Sequence, residues 1–331
     1  MKRQSSLRNM RKNEEIAAYA FLTPYLLATL VFTVGMLAFA LYISLHSWNM
    51  FQSPEFVGFK NYAKAFMSTD FRRGLLNIAW YTLFVVFFQT FTAVFMAVIL
   101  YKPIRGQRFF KTFFYAPSVT SSVVISIIFM WLFLKTGYIN LLFNNVAGIF
   151  GLEWHNIEWL NRPDGLFQLF ARAFGGDIPY DKWYFHGPSI TLFAVMILAI
   201  FTTSPTFMIM FLAALVNIPP SIYEAASIDG ASSWKQFWKI TLPMLAPITT
   251  LVVVLGTMGC IQMFDYVKLA TAGGPLDTTL VPVYQIYTET LGINGPIRAG
   301  YGAAMAFILA VVIFALTYIQ RKLIEEKTEQ Y

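Results

Sequence analysis

The chain has 331 residues, 57% of them hydrophobic and only 12% charged, with a net charge of +7. Soluble domains carry about 25% charged residues, so an ordinary water-soluble globule is excluded. The basic excess does not signal nucleic-acid binding either, because the Lys and Arg residues are dispersed beside long apolar runs instead of forming one block.

Six stretches, 16–45, 75–100, 112–134, 187–218, 241–264 and 299–319, contain no Asp, Glu, Lys or Arg. Each reaches the roughly 20 apolar residues that a helix needs to cross a hydrocarbon core. The expected fold is an all-α polytopic membrane protein with six transmembrane helices. Six crossings leave both tails, 1–15 and 320–331, on one side. With the N-terminus in the cytoplasm, the inner segments hold Lys2, Arg3, Arg8, Arg11, Lys12, Lys102, Arg105, Arg108, Lys111, Lys235, Lys239, Arg321, Lys322 and Lys327, fourteen of the 24 basic residues. That bias follows the positive-inside rule and makes both termini cytoplasmic; Arg72 and Arg73, beside the second stretch, run against it.

In chain order, the apolar run after the basic start is too long for the core of a signal peptide and reads as a retained first helix. The first outer loop holds Phe56-Val57-Gly58-Phe59-Lys60-Asn61-Tyr62, and the short inner loop after the second helix leads into Phe113-Phe114-Tyr115-Ala116-Pro117. The outer loop 135–186 is the longest. Within it Leu166, Phe167, Leu169, Phe170, Ala173 and Phe174 recur at helical spacing and Gly175-Gly176 offers a stop, which predicts a short interfacial helix. Trp154, Trp159, Tyr180, Trp183 and Tyr184 in the same loop suit a headgroup boundary.

Between the fourth and fifth stretches, residues 215–243 form a polar inner loop. Pro219-Pro220 suit the first turn of a helix over 222–228, Gly230 supplies a reversal, and a second helix is expected from about Ser232, with Trp234, Phe237 and Trp238 as its apolar stripe and Pro243 as its end. Glu224 and Asp229 are acidic handles able to form charge-assisted bonds with arginines on another protein.

This loop resembles the EAA loop of binding-protein-dependent ABC importers, on Glu224-Ala225-Ala226, Asp229-Gly230-Ala231 and Ile240-x-Leu242-Pro243. Two further segments are similar to those of the sugar-type permeases in that group: Val57-Gly58 with Asn61-Tyr62, and Thr271-x-Gly273-Gly274-Pro275 with Thr279. Together the matches extend over about 16–319, and the chain resembles the maltose-type and glycerol-phosphate-type carbohydrate-uptake permeases. The resemblance implies type I importer permease architecture over 16–319, in a multi-pass protein of the prokaryotic plasma membrane. It also implies a second homologous permease subunit (a heterodimer), two ATP-binding subunits, an extracytoplasmic solute-binding protein and a carbohydrate substrate. ATP and Mg would bind the partner subunits, with no cofactor held directly and no catalytic or metal-binding residue here. The residues implied to couple to the ATPase are Glu224, Ala225, Ala226, Asp229, Gly230, Ala231, Trp234, Leu242 and Pro243. The stretch 161–186 is longer than the family pattern.

Neutral polar and aromatic groups suit sugar hydroxyls and ring faces. Asn77, Tyr81, Gln89, Thr90, Thr202, Thr203, Ser204 and Gln262 are therefore the candidate lining of a solute path, and Pro205 is expected to kink the fourth helix beside it. Asp265 and Lys268 are placed at the outer water boundary, and His46, His155 and His186 are expected to be solvated or interfacial. Two other function classes are weighed. An ion-coupled secondary transporter of small polar solutes should carry intramembrane charges, which the six stretches lack, and a membrane-embedded enzyme needs a nucleophile with its base or a ligand cluster, and neither is evident. The chain also lacks the Gly-x-x-x-x-Gly-Lys-Ser/Thr signature of an ATP-hydrolysing loop.

Overall fold

The computed structural model describes residues 2–103 and 105–328. Four helices in it are long and apolar enough to cross a bilayer: Glu14–Ser44, Thr69–Tyr101, Ile190–Val216 and Ala299–Lys322. Two further helix pairs are long and apolar enough only when taken together, and each is bent. Gln107–Val119 meets Ser122–Leu132 at 98°, and Ser233–Met244 meets Ala246–Ile261 at 63°. Counting each pair as one span gives six, in the expected order, although the third begins at Gln107 and the fifth at Ser233, each several residues before its charge-free stretch.

The chain divides into two units. One comprises the chain up to Ala65 together with Ile286–Phe307. Its first span passes through a π-helical turn at Thr29–Gly35 and leaves Phe21, Tyr25 and Phe32 exposed, as suits a helix whose surroundings are lipid or another chain. After it, β1 (His46–Ser47) pairs antiparallel with β2 (Glu55–Phe56). The Val-Gly-x-x-Asn-Tyr segment locks this hairpin to the helix end. Val57 N–H donates to the Leu45 carbonyl (2.9 Å), Asn61 Nδ2 donates to the carbonyls of Ser44 and His46 (both 2.9 Å), and the Tyr62 and Ser44 hydroxyls are 2.7 Å apart. Gly300 packs so tightly here that a Cβ would lie 1.9 Å from the His46 carbonyl oxygen. His46 is itself buried, with Nδ1 2.7 Å from the Tyr42 carbonyl oxygen. It is therefore a packed residue, where a solvated or interfacial one was expected.

The second unit comprises Phe66–Gln285 and the chain from Ile308 onward. Its centre is the fourth span, packed lengthwise on the second. Ala93, Ala97, Met208, Phe211, Leu215, Leu245 and Val252 form a dry seam there. In a bilayer such contacts act through close packing more than through hydrophobicity, which is why alanines recur on the seam. The fourth span runs unbroken through Pro205, so the expected kink does not interrupt it. Pro205 removes one N–H from the ladder, while Ser204 and Thr203 donate to the carbonyls of Ile200 (2.6 Å) and Ala199 (2.8 Å).

The loop 135–186 is a folded cap. It has helices Tyr138–Ile149 and Leu166–Ala173, the latter where the spacing predicts it, followed by Gly175 at φ 82°. Phe170 and Phe174 project outward from this second helix, while Arg172 pairs with Asp164 (3.3 Å) and Asp177 (3.0 Å). Within the cap Trp154 is half-buried and Trp159 buried. Both donate through Nε1 to the buried Asn140 Oδ1, and Trp159 packs with Phe133, Ile190 and Ala194.

The loop 271–280 closes on itself. The hydroxyls of Thr271 and Thr279 are 2.7 Å apart, Thr279 donates to the Gly274 carbonyl (2.7 Å), and Gly273 adopts φ 86°. Asp277, at the tip, has its pKa raised by partial burial and by the nearby Asp70, against an opposing effect of Arg73. Ionising Asp277 therefore costs the folded state stability once the pH rises above its ordinary value of 3.8. Asp277→Asn should raise the thermal transition more at pH 7.5 than at pH 4.5, and an equal gain at both would leave only the easier left-handed backbone of Asn as the cause.

Candidate functional site

Two places combine exposure with organised chemistry. The first is the elbow between the fourth and fifth spans. Pro219 caps and Pro220 starts a helix, Pro220–Ile228, since a first-turn proline lacks only an N–H that would have no helical partner. Its end is a Schellman turn: Ala231 N–H donates to the Ala226 carbonyl (2.9 Å) and Gly230 N–H to that of Ser227 (3.1 Å), with Gly230 at φ 74°. Ser232 then caps the next helix by accepting from Lys235 N–H. Two side-chain ties hold the helices together. Gln236 Nε2 reaches the Ser227 hydroxyl (2.9 Å) and the Ala231 carbonyl (3.1 Å), and the Tyr223 and Thr241 hydroxyls are 3.0 Å apart.

The outward face of this braced knob carries Glu224, Ala225, Asp229 and Gly230, all exposed, with Ile228 86% and Trp234 71% exposed. Ala226 and Ala231 are half-buried within it, and Leu242 packs inward against the seam. Trp234, Phe237 and Trp238 form one aromatic cluster, with ring centroids 5.4–6.3 Å apart. Pro243 does not end the helix. A π-helical turn at Phe237–Thr241 precedes it, the chain continues to Met244, and the bend falls at Leu245, just before Pro247. Ile228 was not singled out from sequence, although an isoleucine just before Asp-Gly in a polar loop is a usable signal.

The second place is a cavity of about 290 Å³ at the bend of the third span. It is lined by Pro117, Ser118, Thr120, Ser122, Ile125, Thr202, Thr203, Thr206, Phe207 and Tyr266. The break is braced by its own hydroxyls: Thr120 donates to the Ala116 carbonyl, one of the four freed at the helix end (2.9 Å), and Ser118 donates to that of Tyr115 (2.8 Å). Beyond it, Ser122 donates to Asp265 Oδ2 at 3.0 Å.

Of the eight expected path residues, Thr202 and Thr203 line this cavity. Gln89 stands behind it, fully buried, accepting from Thr203 Oγ1 at 2.6 Å and packed against Gly256. Tyr81 and Ser204 are buried in the helix seam, and Thr90 Oγ1 is buried with no partner. Asn77 clamps the loop 271–280, donating to the carbonyls of Asp277 (3.1 Å) and Leu280 (2.9 Å). Gln262 is exposed at the end of the fifth span, outside the cavity lining. Ser118, Thr120, Ser122, Thr206 and Tyr266 were missed. The hydroxyl-rich run Ser118-Val119-Thr120-Ser121-Ser122 inside an apolar stretch is the signal that could have found most of them.

Comparison with known proteins agrees with this architecture. Residues 89–329 match the model of the family described as binding-protein-dependent transport system inner membrane component. The chain is 31% identical over 316 residues to the probable ABC transporter permease protein YesP of Bacillus subtilis (strain 168), covering 94% of this chain and 91% of that one. It is 27% identical over 311 residues to the sn-glycerol-3-phosphate transport system permease protein UgpA of Escherichia coli O157:H7, covering 93% and 94%. Its fold matches a chain of a bacterial ABC transporter involved in the import of the acidic polysaccharide alginate, with a TM-score of 0.73 at 20% identity over 96% of this chain and 99% of that one. A second structure of such a transporter, in complex with an alginate pentasaccharide-bound periplasmic protein, gives the same TM-score. With the matched region covering well over half its length, this multi-pass chain belongs to the binding-protein-dependent transport system inner membrane components, the permeases of ABC importers.

Proposed function

We propose that this chain is the carbohydrate-conducting permease subunit of an ABC importer in a prokaryotic plasma membrane. Both termini and the elbow face the cytoplasm, in line with the distribution of basic residues. The chain pairs with a homologous permease subunit and receives solute from an extracytoplasmic binding protein. Two ATP-binding subunits, which hold the ATP and Mg, drive it through Glu224, Asp229 and the apolar tip of the elbow. The family is binding-protein-dependent, which argues against an ion-coupled carrier.

The observation that carries the reading is the cavity. Seven hydroxyl side chains and the apolar Pro117, Ile125 and Phe207 surround about 290 Å³ at a helix break. Small-molecule sites run from about 300 to 1,000 Å³ and combine apolar walls with a few aimed polar groups, so this space suits one sugar ring at a time. Irregular backbone in a membrane protein is tolerated where it lines such a space. Thr206→Trp tests it, because Thr206 is an exposed lining residue on an otherwise intact helix. Uptake by the assembled importer should fall at least tenfold while its subunits still co-purify. Undiminished uptake would place the solute path elsewhere.

A further inference from the structure

We propose that the cavity at the third-span bend is a hydrogen-bond-acceptor surface of negative potential, which passes uncharged polyhydroxyl or ammonium-bearing solutes and rejects anions such as uronates and sugar phosphates. The inference rests on the reading of this cavity as the solute path, and it sets the chain apart from relatives whose names specify an anionic cargo.

Ser118 and Thr120 donate to the carbonyls of Tyr115 and Ala116, and Ser122 donates to Asp265 Oδ2. Thr203 is bonded to Gln89 Oε1 and to the Ala199 carbonyl. Thr202 lies 3.0 Å from the carbonyls of both Leu198 and Ala199, so its proton is taken, and the Tyr266 hydroxyl 2.8 Å away donates to it. Six of the seven lining hydroxyls thus have their protons committed to the protein. A hydroxyl that has donated still has oxygen lone pairs to offer. What the cavity can offer a solute is therefore mostly acceptor oxygen, matched to the O–H groups of a sugar or the N–H groups of an amine. A carboxylate or phosphate brings only acceptors and finds few donors.

Charge acts in the same direction. The lining contains no Lys, Arg or His. The anion-binding feature a helix break could provide is the N-terminus of Ser122–Leu132. Asp265 already lies there, bonded to the first residue of that helix. The opposing C-terminus of Gln107–Val119 adds partial negative charge. Lys268, one turn beyond Asp265, lies with its ammonium over the Phe264 ring, 5.2 Å from the centroid, and like Asp265 it stands outside the lining itself.

The potential can be read without knowing the solute. In the complete importer, Cys260, the sole cysteine, is removed as Cys260→Ala and a reporter is introduced as Thr206→Cys. Its rate of modification is compared for a cationic trimethylammonium-ethyl and an anionic sulfonatoethyl methanethiosulfonate, each normalised to its rate with a free small thiol. The cationic reagent should react at least tenfold faster, and adding Asp265→Asn should shrink that ratio several-fold. Equal normalised rates, a faster anionic reagent, or a ratio indifferent to Asp265→Asn would overturn the proposal. Modification should also block uptake. If the charge ratio appears but modified importer still transports, the acceptor surface stands and the path reading fails.

Discussion

Glu224→Arg should reduce uptake by the assembled importer to background, while the chain still inserts in the membrane and runs as a monodisperse species in detergent. Glu224 is exposed on the elbow and makes no ion pair among the described residues. Folding therefore has no use for its charge, and the reversal leaves the Schellman turn and the Gln236 ties in place. Coupling, as proposed, does use it. Losing one partner of a desolvated charge pair costs about 2–5 kcal/mol, and reversal adds repulsion where a bond had been. At 1.4 kcal/mol per factor of ten, docking should weaken by at least about thirtyfold. Co-purification of the ATP-binding subunits checks this directly. Retention of both ATPase and uptake would remove Glu224 from the coupling interface. Glu224→Gln, which keeps a hydrogen-bond acceptor, should fall between the two.

Asn140→Ala should loosen the cap 135–186. This one buried side chain donates from Nδ2 to the carbonyls of Leu134 (3.2 Å), Lys135 (3.0 Å) and Ile157 (2.8 Å). Through Oδ1 it accepts from Ile157 N–H (3.1 Å) and from the indole N–H groups of Trp154 (3.2 Å) and Trp159 (3.3 Å). Alanine leaves a hole facing six partners, of which, among the described residues, the Leu134 carbonyl alone keeps a donor, Gly137 N–H at 2.8 Å, and each unsatisfied buried group costs about 1–3 kcal/mol. Even with water admitted to several of them, a loss of about 3–5 kcal/mol is expected, at the upper end for single substitutions. Limited proteolysis within 151–186 should accelerate at least tenfold. Asn140→Asp, which keeps the Oδ1 acceptor but sets a second acceptor oxygen against the three carbonyls, should be at least as disruptive at neutral pH. Unchanged proteolysis in Asn140→Ala would mean that the apolar packing of Trp159 on Phe133 and Ile190 holds the cap unaided.

What could be read from the sequence follows from the range of the interactions involved. The spans were legible because lipid burial demands long uncharged runs, and the elbow because its signals are local: Pro219-Pro220 at the start, Gly230 at the reversal, Ser232 at the next cap. The helix Leu166–Ala173 was legible for the same reason. The bend of the third span was not. Pro117 lies inside its first half and no glycine marks the joint; the joint is held by the hydroxyls of Ser118 and Thr120 and by a carboxylate from far along the chain. Asn77 and Asn140 show a related ambiguity. An amide in an apolar or loop setting announces that it will bind something, but not whether that is a solute or a neighbouring strand of backbone. Asn77 holds the 271–280 loop and Asn140 the cap 135–186. The fifth span illustrates the limit of reading proline as a stop, since the π-helical turn before Pro243 lets the helix continue to the bend at Leu245.

The third span also bears on how the protein is made. Its charge-free stretch is apolar enough to leave the ribosome and enter the bilayer as a straight rod, yet in the finished protein it is folded nearly at a right angle. One of the bonds that brace the corner runs from Ser122 to Asp265, 143 residues later in the chain. That partner has not been synthesised when the segment first inserts. The corner can therefore take its final packing only once the fifth span has been made.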